Sequence, residues 1–157
     1  MSESQKIDNL LHEERRFPPS PEFQSTAIAG PELYEQASAD RLDFWAGQSR
    51  ELLHWHTPFT EVLDWSNPPF ARWFADGHLN VSYNCLDRHV LEGRGDRVAL
   101  HFEGEPGDNR SLTYRELTEE VKKAANLLTS LGLKQGDRVI IYMPLIPEAV
   151  VAMLAVA

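Results

Sequence analysis

The stretch DRVALHFEGEPGDNRSLTYRELTEEVKKAANLLTSLGLKQGDRVIIYMPLIPEAVVAMLAVA, residues 96–157, decides the fold. DRVALHFEG, 96–104, reads as a strand, and EPGDN, 105–109, as the turn that ends it. RSL then leads into Thr113-x-x-Glu116, a capping box in which each side chain satisfies a backbone N–H of the other residue. The helix behind it places Leu117, Val121, Ala124, Leu128 and Leu131 on one face, and Gly132 is its natural stop. Gly136-Asp137 turns the chain into Val139–Met143, an apolar run of the kind found in strands covered on both faces. Pro144 ends that run, and Pro147 with Glu148 suits the first turn of another helix. The pattern strand, helix, strand, helix opens a layered α/β domain.

The last of these helices carries AVVAMLAVA, 149–157, which is apolar on every side. Such a helix is buried on every side, yet the sequence stops inside it. The expectation is a truncated domain. Nine residues fall far short of the roughly 20 that cross a bilayer.

Upstream the texture differs. Residues 1–30 are polar and turn-rich, with three prolines in FPPSPEF, 17–23, and read as a weakly ordered tail. Ile7, Leu10 and Leu11 allow a short helix over 6–16. From Pro31 a helix signal follows, with Asp40 as cap and Leu42, Trp45, Leu52 and Trp55 near one another on the wheel. Pro58, Pro68 and Pro69 impose extended chain and turns, and Asp76-Gly77 is a turn between apolar flanks. VSYNCLDRHVLEG, 81–93, reads as a short helix capped by Ser82 or Asn84 and stopped at Gly93.

Composition excludes several functions. The formal charge of −9 disfavours nucleic acid and anionic lipid as general partners. Cys85 is the single cysteine, so no disulfide framework exists, in keeping with a reducing cytoplasm. The N-terminus, MSESQKIDNLLHEERRF, lacks an apolar core of the signal-peptide type.

Four features could carry chemistry. Cys85 and His89 stand one helical turn apart, a spacing open to a metal or a Cys–His nucleophile. With no second cysteine and no orienting carboxylate, a small buried thiol is the better reading. His54-Trp55-His56 offers two imidazoles but no evident third ligand. Gly93-Arg94-Gly95 fails the dinucleotide fingerprint because Val98 occupies its third glycine position, so it reads as a linker. The aromatic segment Trp55–Phe74 could stack on a peptide or sugar, but reads better as a strap packed on a larger body.

NCLDRH (84–89), LTYREL (112–117), GDRV (136–139) and above all YMPLIPEAVVAMLA (142–155) resemble the start of the AMP-forming acetyl-CoA synthetases. PELYEQASADRLDFWAGQSRELLHW (31–55) and WFADGHLNVSYN (73–84) resemble that family's N-terminal extension. The likeness runs in order from about Leu33 to Ala157. It implies an α/β protein: a helical and extended extension over 31–93, then the strand-helix-strand-helix opening of an adenylate-forming, AMP-binding domain over 94–157, incomplete, behind a tail over 1–30. It implies a cytoplasmic ligase that joins acetate to ATP as acetyl-adenylate, releasing pyrophosphate, and passes the acetyl group to coenzyme A, with Mg²⁺ as cofactor.

In such enzymes a Ser/Thr/Gly-rich loop with a lysine handles the phosphates, an aspartate binds the ribose, and a lysine of a mobile C-terminal domain serves adenylation. A tryptophan-lined pocket limits acyl length. None of these elements is in this chain, and the family's coenzyme A contacts begin beyond Ala157. The expectation is therefore no catalytic, cofactor-binding or metal residue here, and a missing remainder of the chain as packing partner. Two alternatives stay open. One is a propionyl- or other short-chain acyl-CoA synthetase. The other is a non-catalytic interaction module that docks on a synthetase or another partner.

Overall fold

The computed structural model describes residues 15–157, which divide into two compact units with the boundary at Phe44/Trp45. The helix expected over 6–16 lies almost wholly outside the described residues. In the first unit, α1 spans Pro21–Thr26 and α2 spans Pro31–Ala39. Both begin at a proline, whose fixed φ and missing N–H suit a first helical turn. Ser20 caps α1 by accepting from Phe23 N at 3.2 Å. Neither helix has a buried residue. Among the described residues, the tail read over 1–30 holds a short, exposed helix at Pro21–Thr26. Asp40 caps α3, Arg41–Leu52, as expected, accepting from the N–H groups of Leu42 and Asp43 at 3.0 and 2.9 Å.

The second unit starts with an aromatic knot. Trp55, Phe59 and Phe74 meet edge-on or tilted, with ring centroids 5.2, 5.8 and 4.5 Å apart. The Trp55 indole N–H donates to Ser49 O at 3.0 Å, and the Arg50 guanidinium lies over Phe59 at 4.8 Å. Phe59 is buried, whereas Trp65, Phe70 and Trp73 are exposed. The expected strap therefore packs partly on itself. Its two arms pair as β1 (Leu63–Asp64) and β2 (Arg72–Trp73), antiparallel. Asp76 closes the loop by accepting from Thr60 N at 2.9 Å and Glu61 N at 3.2 Å.

Residues 81–94 are helical, with π-type hydrogen bonding over Tyr83–Asp87 and Val90–Arg94. The cap differs from expectation. Asn80, not Ser82 or Asn84, accepts from Tyr83 N at 2.6 Å. Asn84 is committed elsewhere: its Oδ1 accepts from His54 N at 2.8 Å and its Nδ2 donates to His54 O at 2.9 Å. Gly93, at φ +80°, ends the segment as read, in a conformation that penalises a side chain.

Beyond it, β3 (Val98–Glu103) and β4 (Asn109–Thr113) form an antiparallel hairpin. The sequence reading placed only the first of these strands. NRSLT is mostly polar, and β4 exists because β3 offers it a ladder. The capping box is present, with Thr113 and Glu116 exchanging hydrogen bonds at the start of α4, Tyr114–Ser130. Leu133 N returns to Leu128 O at 3.1 Å beyond Gly132, closing the helix end. The last helix, α5, spans Pro147–Val156.

The core is small. Leu86, Leu117, Val121 and Leu154 are buried together, with Ala99, Leu112, Tyr114, Val150, Val151 and Ala155 packed around them. The architecture is mixed, helices with two small sheets. One expected element is not a strand. Residues 138–144 run without regular structure, and 138–143 make no backbone–backbone hydrogen bond among the described residues. An isolated apolar run has no ladder to join, and β-propensity is largely packing against neighbours.

Candidate functional site

The segment 80–95 gathers Cys85, His89 and Gly93-Arg94-Gly95 from the residues singled out for chemistry. Cys85 is exposed, contrary to the buried thiol expected. On a helix, i and i+1 point apart, and Asn84 and Leu86 on either side of it are buried. His89 lies one turn on, its ring against Tyr114 with centroids 4.8 Å apart. Its Nδ1 is buried and without a hydrogen-bond partner. Cys85→Ala should leave stability within about 0.5 kcal/mol, as for a surface group touching nothing. Thermal unfolding checks this, and a larger loss shows that the thiol has a partner.

His54 and His56 both border one shallow cavity with Asn80, Tyr83 and Asp87. His54 stacks on Tyr83 at 4.8 Å, and Asn84 grips its backbone from both sides. His56 donates its backbone N–H to His78 O at 2.8 Å. Among the described residues no group of three or more His, Cys, Asp or Glu could hold a metal ion. Gly95 is hemmed in: a Cβ there would lie 2.8 Å from Arg115 Nη2. Gly93 and Arg94 lie within the helical segment 81–94, not in the linker that the sequence suggested.

Sequence reasoning missed the ties that join distant elements. Asn84 reaches back 30 residues to His54, and Arg88 Nη1 donates to Leu52 O at 2.7 Å. Arg110 on β4 pairs with Glu148 at the start of α5, Nη1 to Oε1 2.6 Å. That hydrogen bond holds the Glu148 carboxyl below the usual carboxylate range. No local signal marks these partners, because each is chosen by the fold.

The remaining feature is a surface. Ile140 is 91% exposed, Tyr142 100% and Leu145 96%. Beside this segment lies an open, mostly polar groove of about 540 Å³, lined by Thr129, Lys134, Gln135 and Asp137 as well as by Leu128 and Val156. An apolar face with unpaired backbone along it is suited to take up a strand and cover from another polypeptide segment. Among the described residues no helix is long and apolar enough to cross a membrane.

Two families match the sequence. The one described as the acetyl-coenzyme A synthetase N-terminus matches residues 31–85, and the AMP-binding enzyme family matches 86–157. An acetyl-coenzyme A synthetase of Streptomyces avermitilis is 64% identical over 154 residues, 98% of this chain and 24% of that protein. One from Mycobacterium tuberculosis is 64% identical over 142 residues, 90% and 22%. One from Laribacter hongkongensis is 51% identical over 156 residues, 96% and 24%. The chain spans about a quarter of the length of these relatives.

Proposed function

The chain belongs to the acetyl-coenzyme A synthetase family of AMP-binding enzymes, and from that premise we propose that it supplies scaffold, not catalytic groups, to an acetate–CoA ligase. In the ligase reaction an acetate oxygen attacks the α-phosphorus of ATP and expels pyrophosphate. The thiol of coenzyme A then attacks the acetyl carbonyl and releases AMP. Residues 31–93 are the extension and 94–157 the opening of the layered AMP-binding domain, with 1–30 outside both.

Among the described residues no group of three or more His, Cys, Asp or Glu could ligate a metal. In this reading the catalytic, cofactor-binding and metal-binding groups of the ligase lie outside residues 1–157. The single cysteine supports a reducing, cytoplasmic setting.

The observation that carries the reading is the apolar face along 139–145. Its occupant is the part of the family chain that corresponds to the other three quarters of the relatives' length. The groups that act on acetate, ATP and coenzyme A would come from that part. A propionyl-type synthetase would place its acyl pocket there too, so acyl specificity lies outside residues 1–157.

Acetate-dependent pyrophosphate exchange tests both halves of the proposal. The purified chain alone should give no exchange above a heat-killed control. Mixed with the Streptomyces avermitilis relative lacking its matched region, it should restore exchange. Turnover by the chain alone overturns the scaffold assignment. A mixture as inactive as its components overturns the docking assignment. Binding to some other protein instead would favour the interaction module.

A further inference from the structure

The helical segment 81–94 contributes Leu86, the most deeply buried core residue, yet three of its side-chain nitrogens are buried without partners: Arg88 Nε, His89 Nδ1 and Arg94 Nε. His89 is the one of these that can change charge near neutral pH. Its ring is fixed against Tyr114 of α4, and Arg88 and Arg94 stand on either side of it in sequence. We propose that His89 is an acid-sensitive latch, which holds the segment 81–94 onto α4 while neutral and loosens it when protonated.

A protonated ring would carry an N–H at the buried Nδ1, which has no acceptor, and its charge would be opposed by Arg94 and Arg88. The segment has two acidic groups, Asp87 and Glu92, of which Glu92 acts on the ring and is paired with Arg94. On the packed helix, Arg115 lies over Gly95 and is occupied by Asp96 at 3.1 Å. In the turn into β3, Arg97 donates its backbone N–H to Arg94 O. The only charged side chain of α5, Glu148, is held by Arg110. Arg88 is tied to Leu52 O, on the side of the segment that faces His54. No carboxylate that acts on the ring is free to accept from the imidazolium.

Burial first, then Arg94 and Arg88, push the ring below the ordinary imidazole value of 6.5. The folded state therefore favours the neutral ring. Its contribution is complete above the unfolded value and is lost as pH falls from there toward the lowered folded value. Between the two values the folded-to-unfolded ratio drops roughly tenfold for each unit of separation.

The test is urea unfolding of the full chain, followed by tryptophan fluorescence from pH 8 to pH 5 in roughly half-unit steps. The wild-type midpoint should fall on acidification through this range. His89→Gln should flatten that slope, and His101→Gln on the exposed hairpin should keep it. A flat wild-type profile, or an unchanged slope in His89→Gln, overturns the latch. Should His89→Gln fail to fold, the imidazole ¹³Cε1 shift of wild-type His89 decides. Titration below free imidazole supports the proposal, and titration at or above it overturns it.

Discussion

Purified at micromolar concentration, the 157-residue chain is expected to elute from a size-exclusion column as assemblies larger than its 17.9 kDa. Ile140, Tyr142 and Leu145 are almost fully in water, and Val139, Met143, Met153 and Val156 are substantially so. Burying one such side chain is worth roughly 1.5–3 kcal/mol. Covering three or four of them amounts to several kcal/mol, comparable with the roughly 5–15 kcal/mol by which a whole domain is stable. The backbone of 138–143 adds unpaired donors and acceptors that another strand can satisfy. Between Val139 and Ala157 the only charged side chain is Glu148, already engaged by Arg110, so little repulsion opposes the approach of another copy. Without its proper cover, this face should find other copies of itself. The double substitution Ile140→Lys/Leu145→Lys should shift the population to monomer without lowering helix content. A wild-type chain that elutes as a monomer and unfolds in one sharp transition would remove the basis for the docking proposal.

The second large effect is expected at Leu86. It is 1% exposed and packed with Leu117, Val121 and Leu154, so it joins the segment 81–94 to α4 and α5. Leu86→Ala removes three carbons from the centre of this cluster. The expected loss is about 2–5 kcal/mol. In a core of four buried residues that is enough to unfold a large fraction of molecules at room temperature. The measurement is the urea midpoint in the Ile140→Lys/Leu145→Lys background, where association does not interfere. Leu127→Ala, on the exposed side of α4, serves as control and should change stability by less than about 0.5 kcal/mol. A Leu86→Ala cost below about 1 kcal/mol would show that these four side chains are not a cooperative core.

The sequence by itself determined the elements whose cause is local. The Thr113–Glu116 capping box, the face through Leu117 and Val121, the Gly132 stop, the Asp40 cap and the Pro147 start each rest on residues within one turn of one another. The ordered motifs from Leu33 to Ala157 also pointed to the family that the matches over 31–157 then gave. Only the tertiary structure decided what depends on distant partners. Asn84 looked like a cap and became a clamp on His54, because 30 residues of chain fold back to bring that backbone within reach. Polar NRSLT became β4 because β3 offered it a ladder. Cys85 turned out exposed because its neighbours Asn84 and Leu86 take the inward positions. VIIYM carries strand composition but forms no strand, because hydrogen-bond partners and cover for both faces cannot be supplied by a run of five residues on its own. Local patterns fix which conformation a segment prefers, while the fold decides whether its unsatisfied backbone and apolar surface find a partner.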